Sequence, residues 1–211
     1  MLHEVVTVRG IPLTVYQHEA VSEVIRQTGD FYEADILDEL REMYPTQRTI
    51  VDVGANIGNH SAYWSAFVPN TAIHAFEPVP DNYELLVKNV PDAVCHPSAL
   101  SERSGRLKIE LDRVNMGRGH VVTMDAGPAL WVTARSLDAF GLDDVSLIKL
   151  DVEGHEGKVL GGAVWTIGHS HTAIVVEDEW DEVGDHLMWL GIKGYRKTRE
   201  WPGHNDLWEW R

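Results

Sequence analysis

The run Thr49-Ile50-Val51-Asp52-Val53, followed at once by Gly54-Ala55-Asn56-Ile57-Gly58, leaves this chain few ways to fold. A nearly continuous β-branched run suits a parallel strand covered on both faces, and such strands occur almost only where helices pack on both sides of a sheet. The glycines then let the backbone turn sharply into a helix, and Asn56 belongs to the few other residue types that tolerate a left-handed conformation. That helix is expected over residues 58–68. The alternation repeats. A strand at Ile73–Phe76 ends at Glu77-Pro78, and Pro80 suits the first turn of a helix carrying Leu85, Leu86 and Val90.

Further strands are expected at Val94–Leu100, Leu147–Asp151 and Ala173–Glu177, with a helix over Val159–Ile167. Residues 101–134 read as an insertion with strands near 106–111, 120–124 and 130–134. Upstream, Val6, Val8, Leu13 and Val15 alternate around Arg9-Gly10 as a hairpin, and Ile36, Leu37, Leu40 and Met43 recur at helical spacing until Tyr44-Pro45. At the other end, Tyr195–Glu200 and Asp206–Trp210 flank Pro202-Gly203-His204-Asn205 as a closing antiparallel hairpin. These elements imply an α/β fold: a mostly parallel sheet with helices on both faces. The 211 residues suit one such domain over 48–211, with an N-terminal hairpin and capping helices over 1–47.

Charge and composition narrow the function. The 33 acidic and 18 basic side chains give a net charge of −15, which repels a phosphate backbone, so no nucleic-acid partner is expected. No apolar run reaches membrane-spanning length and the first residues lack the order of a signal peptide, so a cytoplasmic protein without membrane contact is expected. Cys95 is the single cysteine; it cannot form an internal disulfide and reads as a small buried hydrophobe.

In a doubly wound sheet, ligands bind beyond the carboxyl ends of the strands, where the strand order reverses. The Gly54–Gly58 turn is at such an end, and Glu77 closes the next strand, where a carboxylate can accept hydrogen bonds from both hydroxyls of an adenosine ribose. A dinucleotide and S-adenosylmethionine both satisfy that pairing. Asn56 and His60, however, break the Gly-x-Gly-x-x-Gly fingerprint of a pyrophosphate site, and no Gly-Lys-Ser/Thr of a Walker loop follows.

Lys149-Leu150-Asp151-Val152-Glu153-Gly154-His155-Glu156 is a second constellation, at the end of a later strand. Asp151 is expected to face the amino-acid part of the cofactor, Glu153 or His155 the acceptor. An imidazole titrates near neutrality and can take a hydroxyl proton as the methyl moves. Capping and the helix dipole could alone explain Glu153 and Glu156. Asp151 and Glu177 could instead hold Mg²⁺ with water and a substrate oxygen, although Glu177-Asp178-Glu179 reads equally as a solvated strand end.

Taken together and in this order, the motifs resemble the FkbM family of methyltransferases over roughly residues 30–180. Phe31-Tyr32-Glu33 is similar to the family's lead-in, Asp52–Ser61 to its cofactor motif, Phe76-Glu77-Pro78 to its ribose-binding strand end, and Ala99-Leu100-Ser101 to the segment beside the adenine. Ile148–Glu156, continuing through Val159-Leu160-Gly161-Gly162-Ala163 and preceded by Ser136-Leu137-Asp138, is similar to its second hallmark. The resemblance implies a class I methyltransferase fold with a seven-stranded sheet, S-adenosylmethionine as donor (S-adenosylhomocysteine as product), and a hydroxyl acceptor on a sugar, polyketide or other small molecule. It implies a cofactor set of Asp52, Gly54, Ala55, Asn56, Gly58, Asn59, His60, Glu77, Pro78, Ser98, Ala99, Leu100 and Asp151. Asp151, Glu153 and His155 carry the chemistry, and no metal ligand is assigned. Specificity is expected to vary in Asn115–His120 and the last 30 residues.

Other classes fit less well. A base methyltransferase would carry an Asn/Asp-Pro-Pro-Tyr/Phe element, which is missing, and the broken fingerprint counts against a nicotinamide-dependent oxidoreductase. A non-catalytic ligand binder would use Trp180, Trp189, Trp201, Trp208 and Trp210 as an interaction surface; packing of the sheet end is the plainer explanation for them.

Overall fold

The computed structural model describes residues 2–69, 72–111, 119–121, 129–178 and 181–211. Strands β1 (His3–Val8) and β2 (Ile11–Tyr16) form the expected hairpin, with Arg9 and Gly10 at φ 49° and 87°. Helix α1 (Ala20–Thr28) follows, its first amide groups capped by the Glu19 carboxylate, and then α2 (Ala34–Met43). Next come β3 (Thr49–Val53), α3 (Asn59–Phe67), β4 (Ala72–Phe76), α4 (Pro80–Asn89) and β5 (Val94–His96). After β6 (Ala99–Leu100), the insertion supplies β7 (Gly105–Leu111), β8 (Gly119–Val121) and β9 (Leu130–Arg135). A 3₁₀ turn at Leu137–Phe140 leads to β10 (Val145–Leu150), α5 (Glu156–Gly161), α6 (Val164–Ser170), β11 (Ala173–Glu177), α7 (Val183–Trp189), β12 (Tyr195–Trp201) and β13 (Asn205–Trp210).

The main sheet has seven strands in the order β12-β13-β11-β10-β3-β4-β5. The pairs from β11 to β5 are parallel, and β13 runs antiparallel to both β11 and β12. From β3 the chain winds outward to β5, then returns to lay β10 on the other side of β3. The strand order therefore reverses beside Val53 and Leu150, which places a crevice there. Two apolar layers cover the sheet. One joins the N-terminal hairpin to α1, α2, α3 and α4 through Leu13, Ile25, Leu37, Tyr63, Trp64 and Leu86; the other packs α5, α6 and α7 through Val159, Leu160, Ile167 and Leu187. Asn89 ties the hairpin to the Gly54–Gly58 turn, because its amide donates to the carbonyls of Thr14 and Ile57 while its oxygen accepts from the Thr14 N–H.

Two sequence expectations are corrected. Val94–Leu100 is not one strand: β5 ends at His96 in the main sheet, and β6 belongs to a separate four-stranded sheet ordered β6-β9-β7-β8. Pro97 between them has no N–H to continue a ladder. Val159–Ile167 is likewise two helices, broken at Gly162, where any side chain would overlap the Ser101 carbonyl. The strand expected at 120–124 is seen only as β8, and 122–124 lie outside the described residues, as do Trp180 and 115–118. Cys95 is half-buried against the hairpin-side core. Trp201 is buried and donates to Glu39 at 2.7 Å, whereas Trp189 is 84% exposed. No helix among the described residues is long and apolar enough to cross a membrane.

Candidate active site

The crevice at the strand reversal is a cavity of about 320 Å³. The ends of β3, β4, β10 and β11 form its floor, α1 and Tyr32 one wall, and β6 with Ile109 and Val121 another. Its floor is held by backbone geometry. The N–H groups of Gly54 and Ala55 both donate to the Phe76 carbonyl at 3.0 Å. Gly54 has φ 80°, and a Cβ on it would overlap the carbonyl oxygen of Asp151, so only glycine lets β3 and β10 release their chains this close together.

Glu77 is 4% exposed and accepts from the N–H of Asn56 at 2.9 Å and of Val79 at 2.8 Å. Burial pushes its carboxyl up to about 7, against the pull of those donors. Asn56 lies beside it in a left-handed conformation, φ 50°, with an Oδ1 that is buried and has no hydrogen-bond partner among the described residues. A buried acceptor without a donor is costly, and this one lies in a residue of the cavity lining, next to a carboxylate with lone pairs to spare. These two acceptors fit the hydroxyl donors of an adenosine ribose and a charged amino group.

The opposite side of the cavity is acidic. Lys149, 3% exposed, places Nζ 2.8 Å from Asp151 Oδ2. Burial opposes ionisation of Asp151, yet the Lys149 ammonium outweighs it and holds that carboxyl below the usual range. Glu177 is driven the other way by burial and by the neighbouring Asp151 charge, and its carboxyl donates to Asp151. The turn after β10 is strained at Glu153, φ 52°, and is held because Glu156 Oε1 accepts from the N–H groups of Val152 and Gly154, each at 3.2 Å. His155 lies with Nε2 3.0 Å from Ser101 Oγ, and burial, helped by Lys158, lowers its pKa.

Among the residues singled out from the sequence, Gly54, Asn56, Glu77, Pro78, Ala99, Leu100, Asp151, Glu153 and His155 line the cavity. Six others do not. Asp52 is wholly buried beneath the turn and accepts from Ser61 Oγ at 2.6 Å, which anchors α3. Ala55 packs into the hairpin-side core, and Gly58 sits against Leu86 and Val90 at 2.8 and 3.0 Å from where its Cβ would be. Asn59 and His60 turn toward Tyr32 and Glu33. Ser98 is buried, with its N–H given to the His96 carbonyl. Tyr32 of the lead-in and Glu177, the alternative metal ligand, also belong to the lining, and the structure adds Val21 and Ile109. In a separate acidic group of Asp178, Asp181 and Asp206, the last two already hold the Lys197 ammonium at 2.7 and 2.6 Å, and Asp178 accepts from the N–H groups of Glu182 and Val183.

Known proteins resemble this chain in sequence and in fold. The methyltransferase FkbM domain matches residues 52–197. Over 150 residues the chain is 28% identical to the hexuronic acid methyltransferase AglP of Haloferax volcanii, an alignment covering 68% of this chain and 62% of that protein. In three dimensions it is similar to a methyltransferase from Geobacter sulfurreducens, with a TM-score of 0.56 and 12% identity over 90% of this chain and 85% of that one. It is also similar to methyltransferase FkbM from Methylobacillus flagellatus KT, with a TM-score of 0.55 and 20% identity over 78% of this chain and 44% of that one. The chain thus spans less than two thirds of two of these relatives.

Proposed function

The chain belongs to the FkbM methyltransferase family and has the class I methyltransferase fold, and on that premise we propose that it transfers a methyl group from S-adenosylmethionine to a hydroxyl of a sugar or similar small molecule. The observation that carries the reading is the convergence of Glu77, the orphaned Asn56 oxygen and the Gly54 turn on one cavity. The hexuronic acid named for the Haloferax relative motivates the choice of a sugar.

When bound, the cofactor supplies an electrophilic methyl carbon, so the protein's main task is alignment rather than activation. Glu77 accepts from the ribose hydroxyls, Pro78, Ala99 and Leu100 pack beside the adenine, and Asn56 Oδ1 with Asp151 faces the methionine end. Lys149 keeps Asp151 ionised for that purpose. His155, neutral because it is buried, takes the proton of the acceptor hydroxyl directly or through water, while Glu153 orients the acceptor. Residues 1–47 contribute Ala20, Val21, Val24 and Tyr32 to the cavity wall, and 48–211 the rest.

The test is calorimetric titration with S-adenosylmethionine, S-adenosylhomocysteine and NAD, followed by transfer of labelled methyl to glucuronic acid and a neutral methyl glucoside, with and without Mg²⁺. Binding of both adenosyl ligands but not NAD, with label on a sugar, is expected. NAD binding alone would overturn the reading in favour of an oxidoreductase, and binding without transfer would leave a ligand binder.

A further inference from the structure

Two residues of the cofactor-turn helix lie outside the cavity lining and converge on an aromatic residue that belongs to it, one on its backbone and one on its ring. Asn59 Oδ1 accepts from the Tyr32 N–H and Asn59 Nδ2 donates to the Tyr32 carbonyl, both at 3.0 Å. A connecting segment ordinarily gives its backbone groups to water; here one buried amide satisfies both groups of a single residue. The next residue, Glu33, is held left-handed at φ 59°, a conformation a non-glycine residue keeps only when its surroundings over-determine it. They do so here: His60 Nε2 lies 2.9 Å from Glu33 Oε2, and Asn205 Nδ2 donates to Glu33 Oε1 at 2.9 Å. The His60 ring also meets the Tyr32 ring edge-on, 6.4 Å between centroids.

Tyr32 is therefore held directly by α3 and, through its neighbour Glu33, indirectly by β13, and it shares the cavity lining with Asp151, Glu153 and Glu177. We propose that Tyr32 orients the methyl acceptor and that Asn59 and His60 are positioning residues acting through it, an inference that rests on the methyl-transfer reading above. The chemistry is complementary. An ionised carboxylate such as Asp151 can only accept hydrogen bonds, and the Glu177 proton is already given to Asp151, whereas a sugar hydroxyl also needs a donor for its own oxygen, and the phenol provides one. Its flat ring offers a surface for the C–H face of the sugar. Burial first, then Glu33, Glu177 and Asp151, push the phenol up to about 12, so it keeps its proton. The acceptor hydroxyl is held between the Tyr32 donor and a base, with its oxygen directed at the methyl group.

The test compares the full chain with Tyr32→Phe, Tyr32→Ala and Asn59→Ala. Three readouts are taken: S-adenosylhomocysteine affinity by calorimetry, steady-state kinetics with glucuronic acid and a neutral methyl glucoside, and calorimetric binding of those sugars to the S-adenosylhomocysteine-loaded protein. Tyr32→Phe should keep cofactor affinity within about twofold and weaken sugar binding and kcat/KM about tenfold, the effect of one lost hydrogen bond. Tyr32→Ala should lose more. Asn59→Ala should follow the same pattern, and a lower Tm with unchanged sugar KM would remove Asn59 from the positioning role. Sugar kinetics unchanged in Tyr32→Phe and Tyr32→Ala would overturn the inference alone. So would a cofactor affinity more than about tenfold weaker in Tyr32→Phe, since Tyr32 would then serve the cofactor. A parent chain that binds S-adenosylhomocysteine but neither binds nor methylates either sugar would overturn the sugar reading and this inference with it.

Discussion

The α-carbon of Gly54 packs against the carbonyl of Asp151 so closely that a methyl group on the first would overlap the oxygen of the second. This contact joins the two sequence motifs at the strand reversal, and it couples the shape of the cofactor turn to the strand carrying the acidic residues. Gly54→Ala would meet both the clash and the strain of φ 80°. The expected cost is about 3 kcal/mol, which for a chain of this length lowers Tm by roughly 10 °C. Differential scanning calorimetry checks it, and an unchanged Tm would show that the two strands are free to separate.

Glu77 makes cofactor binding depend on pH. Its carboxyl is raised to about 7 by burial, so without ligand it is largely protonated at pH 6, while ribose hydroxyls bind better to the ionised form. Binding should release a proton, and S-adenosylhomocysteine affinity should rise by up to about tenfold per pH unit below 7, then level off. Stability of the ligand-free protein moves oppositely: a folded pKa raised above the unfolded value favours folding below about pH 4.5, a contribution lost as pH rises through 7. Calorimetry at pH 5.5, 6.5 and 7.5 should show this slope in the parent and not in Glu77→Gln, whose affinity should be lower throughout.

Lys149 is the cation on which the buried carboxylates depend. Lys149→Met leaves Asp151 without its ion-pair partner and removes a cation that Asp52 and Glu33 also feel, at a cost of about 3–5 kcal/mol for an uncompensated buried charge. In the parent, the lowered pKa of Asp151 supplies stability that is present above the unfolded carboxylate value and lost as pH falls. The variant loses that contribution, and its Asp151 should take up a proton on folding. The Tm difference should therefore be large at pH 8 and smaller at pH 5; an equal difference at both would mean that Lys149 acts by packing alone.

The parallel core was legible because Thr49–Val53 and Ala173–Glu177 state their environment in their own composition, and Glu77 stands where a strand must end. Helix α1 was harder to see. Its apolar residues Val21, Val24 and Ile25 span under three turns, and its cap is Glu19 rather than one of the usual Ser, Thr, Asp or Asn. Asn59 and His60 lie outside the cavity lining. They follow the glycine turn in sequence, but the first turn of α3 rotates them toward Tyr32 and Glu33, partners 27 positions away that no local pattern reveals. Asp52 enters the cofactor set through the family resemblance, yet the structure buries its side chain below the floor, against Ser61.

His155 offers the sharpest test of the chemistry. Burial and Lys158 hold its pKa below the ordinary imidazole value of 6.5, so it is neutral, and competent as a base, throughout the neutral range. Turnover should be flat above about pH 6.5 and decline only on the acid side. His155→Gln should slow kcat by about a hundredfold or more and abolish that acid limb, with S-adenosylhomocysteine affinity nearly unchanged. Glu177 predicts the opposite profile. Its carboxyl is raised by burial and by Asp151, so a reaction relying on it would keep accelerating above neutral pH as that proton is lost. A parent profile that climbs through pH 8, retained in His155→Gln and lost in Glu177→Gln, would move the base from the turn after β10 to the end of β11.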